Sequence, residues 1–274
     1  MTGITKLTLS DGERPAVSIP DRFRQVVSCH ADRIAVSTSG GQWTYAELDE
    51  RSTGLACVIL DHLGAGDGVV ALLFEHAAPL VAAILGVLKA GRIYLALDSS
   101  DSATSSQAML VDAQTRLLVT DPPNAALARS LVGDSLKVLV VADEGAYHSA
   151  SSPFVDIAPD AGAWLMYTSG STGAPKGVWQ SHRAVVHHVD VYHDLIRLTR
   201  DDRLSLITSC GRRGVGDSAV RCLAQWSHSV PVPLPLQGGR AAHELGATAA
   251  RYGLPIRADG VPPPGGGCRR FFPR

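Results

Sequence analysis

Apolar positions along the first two hundred residues fall into two periods, and their alternation predicts a chain of strands and helices in turn. Residues 1–18 carry little periodicity and read as a loose lead-in. A short helix over residues 19–30 opens on Pro20 and Asp21 and places Phe23, Val26 and Val27 on one side. Residues 34–38 read as a strand, residues 39–41 as a turn, and Gln42-Trp43 as the start of the return strand of a hairpin. Thr44 and Glu47 have the spacing of a capping box, so a helix starts there. It runs to about Leu63 with Leu48, Leu55, Val58, Ile59 and Leu63 at helical spacing, and Gly64 and Gly66 end it. In this pattern Glu47 is a cap, not a catalytic acid.

The apolar run over residues 68–74 suits a strand covered on both faces. Pro79 opens the next helix and Gly91 closes it. Leu80, Val81, Ile84, Leu85, Val87 and Leu88 make it apolar over a wide arc, so it should lie deep. Lys89 reads as a solvated cation in its last turn, favourable to the helix dipole. Further strands are expected over residues 93–97, 117–120 and 136–142, with helical segments near 107–113 and 124–131 between them. The serine-rich stretch 99–106 reads as a solvent loop, and residues 144–159 as a linker or surface loop. Two apolar stretches follow, Ala163-Trp164-Leu165-Met166 and Val178-Trp179-Gln180. Ser181 then caps a helix over residues 182–198 that buries Val185, Val189, Tyr192 and Ile196. Its His182, His187, His188 and His193 include no i, i+4 pair, so partly exposed helix histidines are expected, not metal ligands. Residues 204–208 read as another strand and 209–211 as a turn. The strand–helix alternation predicts a parallel, doubly wound α/β layer.

Composition divides the chain at one point. Residues 1–211 hold 16 Lys and Arg against 23 Asp and Glu, whereas residues 212–274 hold nine Arg, no Lys and three acids. The same tail has eight of the 16 prolines and a single isoleucine, Ile256, and it sustains neither period. Val230-Pro231-Val232-Pro233-Leu234-Pro235 suits polyproline II, and Val261-Pro262-Pro263-Pro264-Gly265-Gly266-Gly267 is low in complexity. Arginine, glycine, alanine and proline without lysine is what out-of-frame reading of a GC-rich gene yields. A frameshift near codon 211 is therefore one expectation, and reading the nucleotide sequence in its other frames tests it. A natural disordered or basic interaction tail is the other.

The chain as a whole is 45% hydrophobic and 19% charged, enough apolar content to bury a core. A net charge of −1 gives no reason to expect nucleic acid or an anionic membrane as partner. Cys29, Cys57, Cys210, Cys222 and Cys268 are scattered and odd in number, which argues against a disulfide framework and for a reducing, cytoplasmic setting. No basic-then-apolar leader opens the sequence, and no apolar run approaches the ~18 residues of a membrane span.

Chemistry concentrates in Tyr167-Thr168-Ser169-Gly170-Ser171-Thr172-Gly173-Ala174-Pro175-Lys176-Gly177, set between the last two apolar stretches. Glycines let backbone N–H groups approach a large anion, Ser169, Ser171 and Thr172 can donate to phosphate oxygens, and Lys176 adds a full positive charge. Each hydrogen bond to a charged group contributes about 1.5–3 kcal/mol, so four or five would hold a triphosphate. The spacing is not that of a Walker A loop, which needs Gly-Lys-Ser/Thr. A Gly/Ser loop alone would be an ordinary surface turn. Its placement between apolar strands and its Pro-Lys-Gly ending make it more specific.

This string resembles the phosphate-loop signature of the adenylate-forming, AMP-binding superfamily, which includes acyl-CoA synthetases, luciferases and the adenylation domains of nonribosomal peptide synthetases. Trp43-Thr44-Tyr45-Ala46-Glu47-Leu48 resembles the family's early Thr-Tyr-x-Glu-Leu motif. Leu88-Lys89-Ala90-Gly91-Arg92-Ile93-Tyr94-Leu95-Ala96-Leu97-Asp98 resembles a motif of the peptide-synthetase adenylation domains in particular. The resemblance covers about residues 19–211. It implies the N-terminal part of the acyl-CoA synthetase-like fold, a layered α/β arrangement with mostly parallel sheets, followed by the irregular tail 212–274. The implied reaction joins ATP and an amino or other carboxylic acid into an acyl-adenylate, with Mg²⁺ on the phosphates. The acyl group then passes to the phosphopantetheine thiol of a carrier protein. Thr168, Ser169, Gly170, Ser171, Thr172, Gly173 and Lys176 carry over as phosphate contacts.

The family's Tyr-Gly-Pro-Thr-Glu and Thr-Gly-Asp segments and its C-terminal catalytic lysine have no counterpart in these 274 residues, so no catalytic residue carries over. A truncated adenylation domain, inactive alone, is expected. A non-catalytic nucleotide-binding or interaction fragment is the alternative, and an acyl-CoA synthetase is the alternative within enzymes.

Overall fold

The computed structural model describes residues 17–38, 40–75, 77–142, 155–169 and 175–196. Helix α1 (Ile19–His30) starts at Ser18, whose hydroxyl accepts the Asp21 N–H at 3.2 Å. Strands β1 (Ile34–Thr38) and β2 (Gly41–Thr44) form the expected antiparallel hairpin. Helix α2 (Tyr45–Leu63) opens with the full capping box. The Thr44 N–H donates to Glu47 Oε2 at 2.7 Å, and the Glu47 N–H donates to Thr44 Oγ1 at 3.2 Å. Two orphan N–H groups of the first turn are thereby satisfied, and the hydrogen bonds hold the Glu47 carboxyl below its usual pKa.

A second, six-stranded sheet contains β3 (Val69–Leu73), β4 (Ile93–Leu97), β5 (Leu117–Thr120), β6 (Val138–Val140), β7 (Gly162–Ser169) and β8 (Pro175–Ser181). Their order is β6-β5-β3-β4-β7-β8; every neighbour pair is parallel except β7 with β8. Helices α3 (Ala78–Lys89), α4 (Ala103–Asp112) and α5 (Ala125–Val132) connect successive parallel strands, and α6 (His182–Ile196) follows β8. The result is an α/β layer built on a mostly parallel sheet.

Alternation along β3 divides the core. Val70 and Leu72 face α1, α2, α3 and α6, while Ala71 and Leu73 face α4 and α5. A strand covered on both sides must be apolar throughout, which is why this run shows no polar period. Helix α3 packs deep, as its apolar arc requires, with Leu85, Val87 and Leu88 fully buried.

Three expectations need correction. The stretch 99–106 is not all loop: α4 begins at Ala103, because the Ser102 hydroxyl caps it by accepting the Ser105 N–H at 3.2 Å. A serine cluster disfavours helix interiors but supplies good N-caps, and composition hid that difference. Lys89 is not solvated. Its ammonium donates to Asp49 Oδ1 at 2.7 Å, to Asp49 O at 2.9 Å, and to the hydroxyls of Ser52 and Thr53 at 2.8 Å each. It also lies 5.3 Å from the centre of the Phe23 ring. Burial draws its pKa below the lysine norm, with Asp49 opposing. His182 is not partly exposed: it is wholly buried at the β8–α6 junction, where Nδ1 accepts the Ile19 N–H at 3.3 Å. Strand 204–208, turn 209–211 and the tail 212–274 lie outside the described residues.

Candidate functional site

The expected phosphate loop hangs from the β7–β8 hairpin, whose strands run further than the apolar stretches alone indicate. Tyr167, Thr168 and Ser169 continue β7, while Pro175, Lys176 and Gly177 begin β8. The pairs are Tyr167↔Gly177, Thr168↔Lys176 and Ser169↔Pro175. Backbone pairing thus extends to the two ends of residues 170–174. Of the expected phosphate contacts, the structure brings Thr168, Ser169 and Lys176 together at the mouth of this hairpin. Gly170, Ser171, Thr172 and Gly173 lie outside the described residues.

Strand β7 runs parallel to β4, so the mouth stands at the carboxyl end of the parallel strands. Ligands of open α/β sheets bind beyond that edge. The Lys176 side chain is exposed there. Carboxylates near the same edge are already engaged. Asp98 Oδ1 accepts from the Ser100 N–H at 2.8 Å and from its hydroxyl at 2.6 Å. Asp121 accepts the Glu75 N–H at 2.7 Å and both the N–H and amide of Asn124.

The root of the hairpin is held in the core. Trp164 is 1% exposed and meets Tyr94 edge-on, with centroids 6.0 Å apart and planes at 73°. Nearer the mouth, the Tyr167 phenol donates to Asp112 Oδ2 at 2.6 Å. Burial and that carboxylate raise the phenol's pKa. This pairing of residues 55 positions apart has no signature in the sequence. Gly177 lies beside the ring: a Cβ there would come within 3.4 Å of Tyr167 Cε1 and Cζ and 3.3 Å of Leu165 Cδ1. On the outer strand, Val178 and Trp179 are about half exposed.

Among the described residues, no group of three or more His, Cys, Asp or Glu is placed to hold a metal ion. Among them, too, no helix is long and apolar enough to cross a membrane. Among the described residues, Cys29 and Cys57 form no disulfide.

A sequence profile described as AMP-binding enzyme matches residues 23–211. Gramicidin S synthase 2 of Brevibacillus brevis is 34% identical over 191 residues, which are 68% of this chain and 4% of that protein. The chain therefore spans a small fraction of the length of the curated relatives it matches. The AMPPNP-bound form of the nonribosomal peptide synthetase FmoA3 superposes with a TM-score of 0.65 at 26% identity, over 82% of this chain and 23% of that one. The N-terminal domain of FACL13 from Mycobacterium tuberculosis superposes with a TM-score of 0.73 at 19% identity, covering 85% of this chain and 61% of that one.

Proposed function

This chain belongs to the AMP-binding enzyme family, and from that premise we propose that its β7–β8 hairpin grips the phosphates of ATP for the activation of an amino acid. The observation that carries this reading is the pairing of Thr168 with Lys176, which sets a cation against the strand that leads into the glycine-and-hydroxyl loop. Thr168, Ser169, Gly170, Ser171, Thr172, Gly173 and Lys176 are the proposed phosphate contacts. Lys176 and the loop's N–H groups would neutralise β- and γ-phosphate charge and hold the chain in line for attack by a carboxylate on the α-phosphorus.

The donor set fits a polyphosphate: one ammonium, the four hydroxyls of Thr168, Ser169, Ser171 and Thr172, and glycine backbone, with no carboxylate in the string. The string has no carboxylate to hold Mg²⁺, so the ion would arrive with the nucleotide and supply charge neutralisation beside Lys176. Similarity to gramicidin S synthase 2 supports an amino acid as the acid and the phosphopantetheine thiol of a carrier domain as acceptor. An acyl-CoA synthetase is the alternative within enzymes, and the superposition on FACL13 is compatible with that fold.

The 274-residue chain alone would bind nucleotide without completing the reaction, because the segments that hold adenine, ribose and the catalytic lysine in the family find no match in it. Residues 212–274, of unlike charge and composition, would stand outside the domain. Calorimetric titration with ATP and amino-acid-dependent ATP–pyrophosphate exchange test both parts. Expected are ATP binding that Lys176→Ala weakens and no exchange with any amino acid. Binding indifferent to Lys176→Ala removes the phosphate grip; exchange by the chain alone removes the inactivity.

A further inference from the structure

We propose that Tyr167 is a positioning residue for the phosphate loop, through the hydrogen bond of its phenol to Asp112 at the end of α4. The inference rests on the reading of that loop as a polyphosphate grip.

The need for such a tie follows from the strand register. Strand β7 pairs with β4 only at Tyr94↔Trp164 and Leu95↔Leu165. Beyond Leu165 its ladder continues with β8 alone, out to Ser169↔Pro175. Strand β8 ends the sheet order, so from residue 166 onward the ladder is only two strands wide, held to the core by the side chains of Met166 on one face and Tyr167 on the other. An isolated two-stranded hairpin is marginal in water. Its pitch against the rest of the molecule would decide where Lys176 and the loop amides stand, and a shift of about 1 Å is enough to cost catalysis heavily.

Tyr167 sits one residue before Thr168, on the face of β7 that meets α4 and α5. Its hydroxyl donates to Asp112 Oδ2 at 2.6 Å, the short range of a charge-assisted O–H···O⁻ bond, and lies 3.4 Å from Met109 O. Both acceptors belong to the last turn of α4, a helix anchored through Met109 and Leu110 in the core. The ring reaches beside β8, where Gly177 is its register partner and carries no side chain to displace it. One phenol therefore ties β7, where its ring lies beside Gly177 of β8, to a helix anchored in the core.

The test compares the full chain with Tyr167→Phe, Asp112→Ala and Asp112→Asn, the last keeping an oxygen that can accept the phenol proton. In hydrogen–deuterium exchange, amides over residues 166–178 should exchange about tenfold faster in Y167F and D112A, the scale of one such bond, with D112N near wild type. Exchange elsewhere in the chain should be unchanged. ATP affinity should fall about three- to tenfold in Y167F and D112A, and affinity for inorganic tripolyphosphate should fall in step, since the phosphate tail is what meets the hairpin. Hairpin exchange in Y167F equal to wild type overturns the proposal, as does an equal acceleration throughout the molecule. A wild-type chain that binds no ATP instead overturns the phosphate grip, and the exchange comparison then decides the positioning role by itself.

Discussion

Thr168 and Lys176 face each other across the β7–β8 ladder, one register step before the hairpin's paired ends at Ser169 and Pro175. The Lys176 side chain is exposed there, and it brings the string's only ammonium to the loop mouth. Lys176→Ala is expected to weaken ATP binding by tenfold or more, on the order of 1.5–3 kcal/mol for a charged contact, with stability within about 0.5 kcal/mol of wild type. Calorimetric titration and urea unfolding of the same preparations check the two halves of that statement.

Lys89 behaves in the opposite way. It ties the last turn of α3 to the first half of α2 through Asp49, Ser52 and Thr53, and packs over Phe23 of α1. Lys89→Met keeps the stem's volume but leaves these acceptors without their donor. Because the Asp49 side chain is 38% exposed and can turn to water, the expected loss is about 2 kcal/mol, below the full figure for a broken buried pair. Urea unfolding should show a lower midpoint with an unchanged slope.

His182 makes the molecule acid-sensitive. Burial pushes its pKa from 6.5 down to about 4, with the Asp21 carboxylate on α1 opposing the shift. Between those values the unfolded chain takes up a proton that the folded chain refuses, so stability is full above pH 6.5 and declines as pH falls toward 4. The contribution lost is on the order of 3 kcal/mol at the acid end. His182→Asn can still accept the Ile19 N–H but has no proton to gain. On going from pH 7 to about pH 4.5, unfolding free energy should drop about 2 kcal/mol more in wild type than in this variant. Equal drops would refute the assignment.

Gly86 lies within α3, where an alanine would raise helix propensity by about 1 kcal/mol. The close approach of α2 reverses that preference. A Cβ at this position would come within 3.0 Å of Leu55 Cβ and Cγ, and Leu55, fully buried in the core, has little room to give the few tenths of an ångström required. Gly86→Ala is expected to lower the melting temperature by about 2–6 °C, since overpacking costs about 1–3 kcal/mol. Thermal unfolding followed by circular dichroism measures it.

Much of this architecture was legible in local pattern. Pro20 with Asp21, the Thr44–Glu47 box and the apolar run of β3 each act within a few residues of chain, where propensity and period operate. Lys89 and His182 depart from their local pattern for the converse reason. Both sit on helices with a polar side and looked solvated, and only the packing of α1 against α2, α3 and α6 buries them. Ser102 was lost in a serine cluster because a cap is defined by the helix it starts, not by its own neighbours in composition.

The phosphate loop divides in the same way. Its residues, their order and the family they point to are properties of the sequence alone, because hydroxyls, glycines and a lysine carry their chemistry wherever the chain puts them. Only the tertiary structure decided that Tyr167 to Ser169 and Pro175 to Gly177 are paired strand, and that the hairpin outruns β4. It alone brought Asp112 to the Tyr167 phenol. Register and long-range contact depend on which strands lie side by side, and no local period encodes that.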